Sequence, residues 1–188
     1  MNEKELNTDG FELTGAEKEY LRAQVKDSIK ARLEGQQLPS DIPESETLKE
    51  KRGGFVTLKK NGNLRGCIGY IEACKPLYQT IREMAQAAAF ADPRFPEVAK
   101  KEWPELEIEI SVLTPLREID DPEIIEVGRH GLLIRLDGYS GLLLPQVPVE
   151  YGWTREEFLA HTCQKAGLAP DCWRRSGCRL FIFSAEVF

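Results

Sequence analysis

Apolar positions recur along the chain in two rhythms, one helical and one alternating. Tyr20, Leu21, Val25, Ile29 and Leu33 fall on one stripe at helical spacing. Thr14 and Glu17 ahead of them have the spacing of a capping box, and Gly35 behind them offers a stop. Residues 36–47 are polar with two prolines and read as an exposed connection. Residues 55–59 then read as a strand, Asn61-Gly62 as a two-residue turn, and residues 64–70 as the returning strand. Counting back from that turn sets Leu58 opposite Arg65 and Val56 opposite Cys67. A helix begins near Pro76, carries Leu77, Ile81, Met84, Ala85 and Ala88 toward a core, and ends before Pro93. Residues 92–96 form a proline-stiffened loop.

Leu106, Ile108, Ile110 and Val112 alternate with Glu107, Glu109 and Ser111, the pattern of a half-buried strand. Residues 132–136 and 142–144 flank a turn over 137–141, a second hairpin. Thr154 and Glu157 make another capping box, opening a helix that Gly167 closes. Residues 178–188 form a final aromatic-rich strand. Strands joined by turns, with helices interspersed irregularly, predict an α+β fold with a mainly antiparallel sheet flanked by helices.

Composition narrows this reading. With 188 residues, 41% of them hydrophobic and 30% charged, the chain suits one globular domain. A net charge of −6 disfavours nucleic acid as a partner, because phosphate binding relies on clustered cations. No apolar run is long enough to span a bilayer, and the first ten residues (MNEKELNTDG) lack a secretory signal. The expectation is a cytoplasmic protein away from membranes. Five cysteines, an odd count without an export signal, predict free thiols rather than a disulfide framework. No two cysteines stand at zinc-ligand spacing, and His130 and His161 do not form a helical pair, so no metal site is expected.

The most unusual stretch is Leu-Arg-Gly-Cys-Ile-Gly at 64–69. Strand alternation places Arg65 and Cys67 on one face, where a guanidinium favours the reactive thiolate. Gly66 and Gly69 would let a ligand or another backbone approach closely. Against this, the hairpin register surrounds Cys67 with apolar neighbours and makes it an ordinary core thiol. Both readings stand at this point. Glu109, sharing a face with Glu107, can serve as base or counter-ion, and His130 at a hairpin mouth as a proton shuttle. Arg94, on its stiff loop, can hold an anionic group or simply pair with Asp92. His161 and Cys163 point in different directions on their helix. Trp103, Trp153 and Trp173 can line a pocket or pack in a core. No motif names a cofactor.

These segments, together with AAAFADPRFP at 87–96, LEIEISVLTP at 106–115, HGLLI at 130–134, LLLPQVPVEYGW at 142–153 and FLAHTCQKAGL at 158–168, resemble the AMMECR-type domain family. That family is named for a human chromosomal region linked to Alport syndrome, intellectual disability, midface hypoplasia and elliptocytosis. The resemblance implies one domain over residues 1–188, of two unequal lobes with a cleft, the smaller helical lobe inserted at roughly residues 74–104. It marks 64–69 as the hallmark segment and implies Memo-like and radical-SAM proteins as partners. Two functions follow as expectations. One is an enzyme or enzyme component with Cys67 as nucleophile, Glu109 or His130 handling protons, and Arg65, Gly66, Gly69 and Arg94 binding substrate. The other is a non-catalytic module that docks such a partner, or RNA.

Overall fold

A computed structural model of the chain describes residues 11–188. The ten residues that carry the expectation about an export signal lie outside the described residues. The chain divides into two compact units, the residues up to Thr114 with 186–188, and Pro115–Ala185.

The first unit begins with α1 (Gly15–Glu34). Thr14 Oγ1 accepts the Glu17 N–H at 3.3 Å and Glu17 Oε2 accepts the Thr14 N–H at 2.8 Å, closing the capping box from both sides. Gly35 stops the helix at a left-handed φ of 69°. The connection beyond it is not extended throughout. It holds a short helix, α2 (Glu46–Lys49), because Leu48 is buried there and Ser45 Oγ accepts its N–H.

Strands β1 (Gly54–Lys60) and β2 (Asn63–Tyr70) form the expected hairpin. Asn61 and Gly62 take φ of 52° and 74°, the turn whose twist matches the flanking strands. Next come α3 (Leu77–Phe90) and β3 (Leu106–Leu113). α3 buries Leu77, Ile81, Met84, Ala85 and Ala88 with Val56, Leu58, Ile110 and Val112 of the strands, and α1 packs along it. Residues 74–104 fall within this unit, and α3 contributes to its core.

The second unit contains β4 (Arg117–Ile119), β5 (Gly131–Leu136) and β6 (Tyr139–Leu143). It continues through α4 (Gln146–Glu150), α5 (Arg155–Lys165) and β7 (Arg179–Phe183). The β5–β6 hairpin turns on Asp137-Gly138 alone, with φ of 52° and 83°, so residues 139–141 extend the strand rather than the turn. α5 packs on β5 and β6 through Phe158 and Leu159.

The last segment is not one strand. It breaks at Ser184 into β7 and β8 (Ala185–Val187), which belong to different sheets. Ile110 of β3 and Phe188 exchange backbone hydrogen bonds at 2.9 and 3.1 Å. Among the described residues the strands form two four-stranded sheets, ordered β2-β1-β3-β8 and β4-β7-β5-β6. The fold is α+β, and the strand pairs in both sheets are antiparallel. No helix among the described residues is long and apolar enough to cross a membrane.

One expectation about the cysteines is corrected. Cys163 and Cys172 form a disulfide, both fully buried, with Cα atoms 6.0 Å apart. Past α5, Gly167 takes a left-handed φ of 77° and the Leu168 N–H returns to the Cys163 carbonyl at 3.0 Å. That reversal folds the following chain back over the helix end, an approach residue spacing does not announce. Cys67, Cys74 and Cys178 are free thiols.

Candidate functional site

The hairpin register differs from the count taken back from its turn. Lys60 pairs with Asn63 and Lys59 with Leu64, but Leu58 pairs with Gly66, Thr57 with Cys67 and Val56 with Ile68. Arg65 is the extra residue of a β-bulge. The cause lies in the core. An unbroken register would set Arg65 opposite the fully buried Leu58, on the face covered by α3. The bulge replaces it there with Gly66, where a Cβ would stand 2.1 Å from the Ala88 carbonyl oxygen of α3. Cys67 thereby moves to the other face of the sheet, beside Thr57 rather than Val56, and its side chain is half-buried.

On that face Thr57 Oγ1 donates to Cys67 Sγ at 3.2 Å. Glu109 of β3 pairs with Thr57 from the other side, so Cys67, Thr57 and Glu109 form a row across three strands. Lys59 Nζ sits 2.8 Å from Glu109 Oε2. Gly69, two residues beyond Cys67, lies under the Phe55 ring, whose Cδ1 would be 2.2 Å from any Cβ. Both glycines of the segment thus accommodate the protein's own groups.

β2 is an edge strand, and the residues after α3 take the place of a neighbour along it. The Cys67 N–H donates to Asp92 Oδ2 at 2.9 Å, and Arg94 Nη2 donates to the Cys67 carbonyl at 3.0 Å. Asp92 binds Arg94 in turn, through Nε at 2.9 Å, Nη2 at 2.7 Å and the backbone N–H at 3.1 Å. The Arg94 hydrogen bonds hold the buried Asp92 carboxyl well below the usual carboxylate range, against the opposing effect of burial. Arg94 is raised above its ordinary value first by Asp92, with the nearby Cys67 sulfur adding to the effect.

The cation bound to Cys67 is therefore Arg94, through the backbone carbonyl, and not Arg65. Arg65 turns to Glu102, donating from Nε at 3.2 Å and Nη2 at 2.7 Å. Those bonds lower the Glu102 pKa. The Asp92–Arg94 pair expected from the loop does form, but it also clamps the backbone of Cys67.

His130 belongs to the second unit and is buried there. Its Nδ1 accepts the Glu126 N–H at 3.1 Å, and burial pushes its pKa below the ordinary 6.5. Because the folded form holds this ring neutral, the unfolded chain binds its proton more readily. The ring's contribution to stability is full above pH 6.5 and is lost as pH falls below that value. The stability difference between the native chain and His130→Gln is accordingly expected to shrink between about pH 7.5 and about pH 5, measured by urea unfolding. His161 stacks on Trp153 with ring centroids 3.9 Å apart, and Cys163 is in the disulfide, so those two make no dyad. Among the described residues no three His, Cys, Asp or Glu side chains gather to hold a metal ion.

Thr57 and the backbone-binding role of Asp92 escape sequence reasoning. Thr57 reaches Cys67 only through the bulge. Asp92 was visible as a partner of Arg94, but nothing local points its carboxylate at a strand 25 residues earlier.

Comparison with known proteins places the chain in a family. The AMMECR1 family model matches residues 23–188. Protein MK0488 of Methanopyrus kandleri is 48% identical over 188 residues, covering 95% of this chain and 91% of that protein. Protein NEQ441 of Nanoarchaeum equitans is 43% identical over 165 residues, 83% of this chain and 91% of its own length. The crystal structure of the uncharacterized protein PH0010 from Pyrococcus horikoshii superposes with a TM-score of 0.83 at 43% identity. That match covers 90% of this chain and 89% of the other.

Proposed function

The chain belongs to the AMMECR1 family, and from that premise we propose that it is an enzyme, or a component of one, with Cys67 as its nucleophile. The observation that carries this reading is the pairing at the sulfur. A hydroxyl donates to Sγ at 3.2 Å while the Arg94 guanidinium holds the carbonyl of the same residue at 3.0 Å. A donor and a cation are what negative charge on a sulfur needs for stabilisation. The Asp92–Arg94 clamp supports the reading further, since it fixes the backbone on both sides of the nucleophile.

In this mechanism the Cys67 thiol gives its proton to solvent, and the thiolate adds to an electrophilic carbon of the substrate as the π electrons of that carbon pass to its heteroatom. Thr57 orients the sulfur, and Arg94 balances its charge before attack. Glu109, held by Lys59 in the same row, exchanges protons with the substrate. His130 takes no part, because its Nδ1 is already occupied by a backbone donor.

Cys74 provides an internal control, being a free thiol that is exposed. At neutral pH iodoacetamide is expected to alkylate Cys67 roughly tenfold faster than Cys74, read by mass spectrometry of the intact chain and its peptides. Arg94→Gln should slow Cys67 and leave Cys74 unchanged. If Cys74 reacts first and Cys67 is indifferent to Arg94, the nucleophile role is lost. The exposed Leu64 and Tyr70 at the two ends of β2 favour a second reading, a docking module. Co-elution with a Memo-like or radical-SAM protein, lost on Leu64→Asp while Cys67 proves inert, would establish that reading instead.

A further inference from the structure

The first unit holds a pocket of about 540 Å³ that Cys67 does not line, a size common to small-molecule sites. α1 supplies Ser28 and Arg32, the connection after it supplies Leu38 and Pro39, and α3 supplies Met84 and Ala87. Most of the lining surface is apolar; of its polar side chains, Gln79 and Gln86 are engaged with the Tyr78 hydroxyl and the Ser28 carbonyl, and two others stand apart.

Ser28 is buried, and its Oγ has no hydrogen-bond partner. Buried hydroxyls ordinarily have one. Ser28 lines the pocket with its Oγ sealed from solvent, so meeting an acceptor there takes a rotation about the Cα–Cβ bond. Arg32, one helical turn further on, is only loosely engaged. Its Nη2 is 3.8 Å from Glu97 Oε1, and its guanidinium rests over the Phe90 ring at 4.7 Å. The other charged side chains of the lining are committed: Arg82 to Asp41 at 2.6 Å and Glu83 to Lys75 at 2.7 Å. An unsatisfied hydroxyl and a loosely held cation thus lie one turn apart on the same helix, over an apolar floor.

We propose that this pocket binds an amphipathic monocarboxylate. Its alkyl chain lies against Met84, Ala87 and Leu38, and its carboxylate sits between the Ser28 hydroxyl and the Arg32 guanidinium. Charge selects an anion, and the apolar lining selects a chain rather than a small inorganic ion. The inference does not depend on the reactivity of Cys67.

Decanoate titrated into the full chain tests it, followed by calorimetry and by backbone amide shifts, with decanol as the neutral control. Saturable binding below millimolar concentration is expected, with shifts concentrated in α1, α3 and the connection after α1. Decanol on the native chain, and decanoate on Arg32→Gln, should each bind roughly tenfold more weakly. Leu38→Asp, at an exposed position that leaves the core intact, sets a like charge at the mouth and should weaken decanoate by a similar factor. Ser28→Ala should weaken it less, by roughly threefold. No saturable binding of decanoate at millimolar concentration would overturn the proposal. So would equal affinities for decanoate, decanol and the Arg32→Gln variant.

Discussion

Gly66→Ala is expected to destabilise the fold by about 3 kcal/mol, more than an added methyl usually does. The new Cβ would stand 2.1 Å from the Ala88 carbonyl oxygen and 3.1 Å from its carbon. Both atoms are helix backbone, so no rotamer change relieves the contact. Either α3 or β2 must move. The fully buried Leu58 opposite Gly66 and the packed face of α3 leave little room for either. Gly15→Ala is the matched control, since nothing lies within 4 Å of a Cβ there, and it should change stability by no more than about 0.5 kcal/mol. Urea unfolding reads both, as a fall in midpoint at constant slope for Gly66→Ala. A Gly66→Ala midpoint equal to the native one would refute the close approach of strand and helix.

Local chemistry makes most elements legible. Thr14 with Glu17 and Thr154 with Glu157 announce two helix starts, and Asn61-Gly62 and Asp137-Gly138 announce two hairpins. Each signal acts within four residues, so nothing distant is needed to read it. The family, too, is legible, because its motifs are spread over nearly the whole chain. Features that depend on two distant segments are not legible. The disulfide follows from how the chain reverses after α5. The division of the last eleven residues between two sheets follows from which core each half can fill.

The candidate site shows the same boundary. Alternation along 64–69 puts Cys67 and Gly66 on opposite faces, while the count from the turn puts Cys67 opposite Val56, a core residue. Together the two rules put Cys67 on the core face, and the bulge at Arg65 moves it to the other one. Its cause is tertiary, the need to keep a guanidinium out of the space under α3. The segment could therefore draw attention to Cys67 without naming the groups that touch it. Arg65 is two positions away in sequence but paired with Glu102, whereas Arg94 comes from a loop 27 residues away.

Asp92→Ala is expected to cost about 3 kcal/mol of stability and to slow alkylation of Cys67. The carboxylate is buried and accepts hydrogen bonds from the Cys67 N–H and from three nitrogens of Arg94. Removing it leaves a backbone donor unsatisfied and deprives Arg94 of its counter-ion, so the guanidinium loses its hold on the Cys67 carbonyl. Asp92→Asn keeps an acceptor for Cys67 but no charge, and should cost roughly half as much. Acid distinguishes charge from shape. The folded pKa of Asp92 lies below the ordinary 3.8, so its ionisation stabilises the fold above that value and ceases to do so as pH falls through the folded pKa. The stability gap between the native chain and Asp92→Asn should hold steady near neutral pH and narrow only under acid. Alkylation separates the two roles of the clamp. If Asp92→Asn slows Cys67 relative to Cys74 while the chain stays folded, the carboxylate acts on the sulfur through Arg94. If stability falls and the ratio does not change, the clamp serves the strand edge alone, and Thr57 is the remaining group that acts on the sulfur directly.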